Sequence, residues 1–135
     1  MSTVPPPADP EADPVVKQVF DDIRATRGSD FVNLLWTYLA FDPPLLKQVW
    51  EDVKAVMATP SALDPKTKEM IYVAVSIANS CSYCVHSHTA AARAKGMSDE
   101  EHADLLRVVA TASKTNALLN GLQIPVDPQF NRETS

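Results

Sequence analysis

Three times in this chain an Asp-Pro step stands immediately before an apolar stripe, at Asp13-Pro14, Asp42-Pro43 and Asp64-Pro65. Each reads as a helix start. The carboxylate accepts from the first free amides, and proline at the first helical position supplies a fixed φ where no amide donor is needed. The chain holds 11 prolines and 3 glycines in 135 residues. So little glycine disfavours a turn-rich all-β fold, and the prolines fall between apolar segments as punctuation.

Helical spacing fills in the elements. Val15, Val16, Val19, Phe20 and Ile23 form a first stripe, which Gly28 ends. A second helix is expected over about 32–41, with Leu34, Leu35, Tyr38 and Leu39 on its buried side. A third carries Leu45, Leu46, Val49, Trp50, Val53, Val56 and Met57, and Pro60 closes it. The fourth starts at Asp64-Pro65 and is apolar nearly all round after Glu69, the pattern of a buried helix. A fifth is expected from about Cys81 to Lys95, ended by Gly96. The sixth opens on Ser98 and Glu101, spaced as a capping box, and carries Leu105, Leu106, Val109 and Ala112 towards Asn120-Gly121. The expectation is an all-α bundle of about six helices. Residues 1–12 read as a flexible Pro-rich tail, 13–121 as a single all-α domain and 122–135 as a C-terminal tail. Phe20, Phe31, Trp36 and Trp50 are expected as core or subunit contacts.

Charge and hydropathy exclude whole classes of function. The net charge is −5, from 12 Lys+Arg against 17 Asp+Glu. No basic run offers the concentrated cationic face that nucleic acid requires. The longest apolar stretch, Met70 to Ala78, is about half a membrane span. The opening MSTVPPPADP has neither the basic nor the apolar part of a secretory signal, so a cytoplasmic setting is expected. Structural disulfides are rare there. The chain nevertheless carries its 2 cysteines three residues apart, as Cys81 and Cys84.

Residues three, four and seven apart share a helical face, so Cys81, Cys84 and His88 are expected on one stripe. The pair falls at the start of the fifth helix, where unpaired amides create a positive end that favours thiolate over thiol. A neighbouring imidazole can take the thiol proton. Two cysteines at this spacing can also close a disulfide within one turn. Glu69 heads the buried run of the preceding helix. Pointing inward, its natural partner is His88, whose ring it would orient and make more basic; otherwise it is a first-turn acid on the helix dipole.

The run Glu69, Cys81-x-x-Cys84-x-x-x-His88 and Gly96 resembles the alkyl hydroperoxidase D-like branch of the carboxymuconolactone decarboxylase family. Asn79 fits as well, and Asn33-Leu34 and Pro44-Leu45-Leu46 are similar to the family's peroxidase-related subgroup. The resemblance implies an all-α fold, association as trimers or hexamers, and reduction of hydroperoxides without haem, flavin, metal or other cofactor. By that resemblance Cys84 is the peroxide-attacking thiolate, Cys81 the resolving thiol, and His88 with Glu69 the proton relay. An external dithiol, on a protein or a small molecule, would restore the thiols. The hydroperoxidase proper has a second His just before its second cysteine. Here that position is Tyr83, an accessory donor but a poor base near neutral pH. Members acting as the decarboxylase lack the cysteine pair.

Other readings of the same residues are two ordinary buried cysteines, or zinc held by Cys81, Cys84, His88 and a fourth ligand. The spacing is not that of a zinc finger, and no second Cys/His pair follows. At the level of function the rivals are a non-catalytic redox-sensing oligomer and a lactone lyase independent of both cysteines. His86 is expected at the surface or an interface, and His102 exposed to solvent.

Overall fold

The computed structural model describes residues 1–132. Positions 133–135 of the expected C-terminal tail lie outside the described residues. Six α-helices form: α1 (Pro14–Arg27), α2 (Leu34–Leu39), α3 (Pro43–Val53), α4 (Pro65–Ala78), α5 (Ser82–Ala94) and α6 (Asp99–Leu122). Among the described residues there is no strand, and the all-α expectation holds. The chain divides into two compact units, Met1–Ala62 and Leu63–Ser135.

The three Asp-Pro steps act as their chemistry requires. The Asp13 carboxylate accepts from the amides of Val15 and Val16 at 2.8 and 3.2 Å. Asp42 accepts from Leu45 at 3.2 Å, and Asp64 from Thr67 at 2.9 Å. Each such cap stabilises its helix by about 1 kcal/mol. Ser98 and Glu101 close the reciprocal capping box of α6, with both bonds at 3.0 Å.

In the first unit, Val16, Val19, Phe20 and Ile23 of α1 pack with Trp36, Ala40, Leu46 and Trp50. The two indoles meet edge to face with centroids 5.4 Å apart. Trp50 donates its indole N–H to Asp22 at 2.8 Å, and Lys54 binds the same carboxylate at 2.9 Å. Here α2 departs from expectation. It is only six residues long, and Leu34, Leu35 and Tyr38 are exposed. Trp36 and Leu39 face the core as expected, and Ala40 joins them, because the large indole takes the buried position and its neighbours three and four residues on follow it. Phe31, expected in the core or at a subunit contact, is 68% exposed. The N-terminal tail is also less extended than expected. Pro10–Ala12 form a 3-10 turn, and Glu11 pairs with Arg24 of α1 at 2.6 Å.

In the second unit α4 packs along α5 and against α6. The expectation that α4 is buried all round is corrected by its outer face. Glu69, Val73 and Ser76, spaced by four and three, are buried, whereas Ile71 and Val75 are 48% and 52% exposed. α5 and α6 cover one stripe of α4 and leave the opposite apolar stripe exposed. The far half of α6 is likewise exposed, with Leu118, Leu119 and Leu122 uncovered. That helix runs through Gly121, expected near its stop, and ends at Gln123, which takes the left-handed conformation.

Candidate active site

A tight reversal between α4 and α5 builds the cysteine site. Asn79 caps α4, and Ser80 follows with φ +57 in the left-handed region. The Ser80 amide donates to the Ile77 carbonyl at 3.1 Å and the Cys81 amide to Ser76 at 2.9 Å. These are the two bonds of a Schellman motif, with serine where glycine is usual. The chain leaves this turn directly into α5.

Cys81 is the N-cap of α5, in extended backbone, and its sulfur accepts from the Cys84 amide at 3.2 Å. The expectation of one helical stripe through Cys81, Cys84 and His88 is therefore corrected for its first member. Cys81 lies just outside the helix, while Cys84 and His88 sit within it, one turn apart and on one face. The two sulfurs are joined as a disulfide across Cα atoms 5.3 Å apart. At the helix end, the amide-to-sulfur bond falls on Cys81. Tyr83 and His86 are exposed, and the His86 Nδ1 lies 2.9 Å from the Ser82 carbonyl. His102 is half-buried, with its Nδ1 3.3 Å from Arg93.

Glu69 points inward. Its carboxylate is 4% exposed and binds two groups of the neighbouring helix. Oε2 lies 2.7 Å from the Nδ1 of His88, and Oε1 accepts from the Nζ of Lys95 at 2.6 Å. Burial pushes the Glu69 carboxyl upward. The hydrogen bonds from His88 and Lys95, with the Lys95 charge, outweigh it and hold the group below the usual carboxylate range. An ionised carboxylate only accepts, so the imidazole carries a proton on Nδ1 and donates it to Oε2, with Nε2 on the other side of the ring. Tyr72, one turn after Glu69 on α4, stacks on the His88 ring at 3.6 Å.

Lys95 and Tyr72 were not expected at the site. The signal for each is spacing: Lys95 is seven residues after His88, two turns along the same face, and Tyr72 is three after Glu69. Neither residue type stands out in a sequence without a partner in view. Among the described residues, no three His, Cys, Asp or Glu side chains converge to hold a metal ion.

Residues 43–127 match the model of the carboxymuconolactone decarboxylase family. The crystal structure of an alkylhydroperoxidase AhpD core from Rhodospirillum rubrum is 62% identical, with a TM-score of 0.92 over 96% of this chain and 97% of that one. No curated protein matches the chain. On the family match and the likeness to that structure, the chain belongs to the carboxymuconolactone decarboxylase family, in its alkyl hydroperoxidase D-like branch.

Proposed function

We propose that this protein is a thiol-dependent peroxidase that reduces hydroperoxides through the Cys81–Cys84 dithiol and disulfide. The observation that carries the reading is the Glu69–His88 hydrogen bond of 2.7 Å, made one helical turn after a redox-capable cysteine pair. The AhpD core from Rhodospirillum rubrum supports it by likeness.

In the reduced protein, His88 takes the Cys84 thiol proton on Nε2 while Glu69 steadies the imidazolium. The Cys84 thiolate attacks the outer oxygen of the hydroperoxide. A sulfur–oxygen bond forms, the oxygen–oxygen bond breaks, and the departing alkoxide takes the proton from His88 to leave as an alcohol. Cys84 is then a sulfenic acid. The Cys81 sulfur attacks it, the sulfur–oxygen bond breaks, and hydroxide leaves as water with the Cys81 proton. The net change is one hydroperoxide and two thiols converted to an alcohol, water and a disulfide.

An external dithiol completes the cycle by exchange. Exchange runs faster when the leaving sulfur is the better stabilised thiolate. The Cys84 amide already donates to Cys81, so attack on Cys84 with Cys81 leaving is the favoured direction. The exposed apolar faces of α4 and α6, with Ile71, Val75, Leu118 and Leu122, fit association with further copies of the chain. Among the described residues no helix is long and apolar enough to cross a membrane.

The test is consumption of an alkyl hydroperoxide by purified protein supplied with a small dithiol. Repeated turnover that Cys84→Ser abolishes is the expected result. Turnover that survives this substitution overturns the reading.

A further inference from the structure

We infer that Lys95 is the positioning residue of the relay: its ammonium balances the buried Glu69 carboxylate, so that His88 is free to gain and release a proton. The inference rests on the peroxidase reading and adds to it a member that the motif does not contain.

The argument starts from charge. A carboxylate 4% exposed is costly to keep ionised unless a cation or several donors hold it. His88 as a neutral ring gives Glu69 one hydrogen bond and no charge. Lys95 gives it both, at 2.6 Å, from the C-terminal end of α5. With Lys95 present, Glu69 is compensated while the imidazole is neutral. When the imidazole becomes cationic, the carboxylate is shared between two cations, and its grip on the second is weaker. Remove the ammonium and the ring becomes the main compensation available. It would be held as imidazolium, unable to accept the thiol proton and slow to give one up.

Geometry supports the same role. Lys95 occupies Oε1 and leaves Oε2 for Nδ1, which fixes the carboxylate plane that aims the ring. Tyr72 of α4 covers one face of that ring. Two other cations of this unit have carboxylates of their own. Lys66 of α4 binds Glu101 of α6 at 2.8 Å, and Arg93 of α5 lies 4.0 Å from Asp99 and 3.3 Å from His102. Lys68 precedes Glu69 and projects about 100° round α4 from it.

Lys95→Met, Lys95→Gln and Lys95→Arg test the inference in the reduced full-length protein. Two quantities are read: the pH profile of hydroperoxide reduction, and the titration of the His88 ring nitrogens by 15N NMR. In Lys95→Met the ring titration and the acid limb of the profile should both move up by about one pH unit, the size of a lost nearby charge. Lys95→Arg should restore both. Lys95→Gln keeps a donor without charge and should behave as Lys95→Met; it is read alone if Lys95→Met does not fold. A ring titration unchanged in the charge-removing variants overturns the inference, as does an equal displacement in Lys95→Arg. If the wild-type protein reduces no hydroperoxide, the peroxidase reading fails while the ring titration still decides the role of Lys95.

Discussion

The Tyr72 ring lies over the His88 imidazole, centroids 3.6 Å apart and planes 19° from parallel. Both residues are placed by helix periodicity, since Tyr72 is one turn from Glu69 on α4 and His88 meets Glu69 from α5. Glu69 fixes the ring at one nitrogen, and Tyr72 fixes its plane. A hydrogen bond alone would leave the imidazole free to swing about the Nδ1–Oε2 axis. The stacked ring removes that freedom and aims Nε2.

Replacing Tyr72 by Leu should therefore slow hydroperoxide reduction with little effect on folding. Aromatic pairs contribute about 0.5–1.5 kcal/mol beyond burial, which corresponds to ~2- to 10-fold in rate. Tyr72→Phe keeps the stack and should stay near the wild-type rate. Steady-state kinetics on the two variants checks this. Equal losses in both would assign the effect to the Tyr72 hydroxyl rather than to stacking.

Glu69 links the site to stability. Its carboxyl lies below the ordinary range in the folded chain, against burial, through His88 and Lys95. A group lowered on folding stabilises the protein above its unfolded value, near ~4.3 for glutamate, and loses that contribution as pH falls through the folded value. Asp22, lowered by the Trp50 and Lys54 hydrogen bonds, acts in the same direction. Wild-type stability should accordingly decline from about pH 5 downward. Glu69→Gln should flatten part of that decline. At pH 7 it should cost ~3–5 kcal/mol, the usual penalty for breaking a buried pair. Urea unfolding at a series of pH values measures both effects.

The turn into the cysteine site offers a stability gain. Ser80 sits at φ +57, where a side chain costs about 1–2 kcal/mol and glycine costs nothing sterically. Glycine also loses more chain entropy on folding, by about 0.5–1 kcal/mol. Ser80→Gly should raise stability by roughly 0.5–1 kcal/mol in denaturant unfolding, with the Cys81 amide bond to Ser76 kept. A loss would mean that the serine hydroxyl supports the turn in a way the backbone does not require.

Much of this was legible in the sequence because it depends on local chemistry. The Asp-Pro caps, the capping box of α6 and the one-turn spacing of Cys84 and His88 need only near neighbours. The inward aim of Glu69 was readable as one of two options, and packing of α4 on α5 decided it. What was not legible depends on which face meets a neighbour. Leu34 and Leu35 carry the right hydrophobicity for a core, but Trp36 takes that face. The all-round apolar pattern of α4 reads as burial, yet the described chain supplies a cover for only one side, the side of Val73 and Ser76. Lys95 was hidden for the converse reason, since a lysine before a helix-ending glycine reads as a favourable C-terminal charge until its carboxylate partner is seen.

The cysteine roles can be separated without disturbing the helix start. Cys81 caps α5, and serine is a strong N-cap, so Cys81→Ser should fold normally. Without any dithiol, this variant should consume one equivalent of hydroperoxide per chain. It should then hold Cys84 as a sulfenic acid that a carbon nucleophile such as dimedone traps, because the resolving sulfur is gone. Wild-type protein should consume the same single equivalent but end as the disulfide, with nothing to trap. Cys84→Ser should consume none. Mass spectrometry of the three trapped products makes the comparison. The Cys84 amide donates to Cys81, which favours a thiolate at that sulfur. His88 lies on the helical face of Cys84, which favours proton removal there. If Cys81→Ser consumes no hydroperoxide while Cys84→Ser does, the helix end outweighs the imidazole and the two cysteines exchange roles.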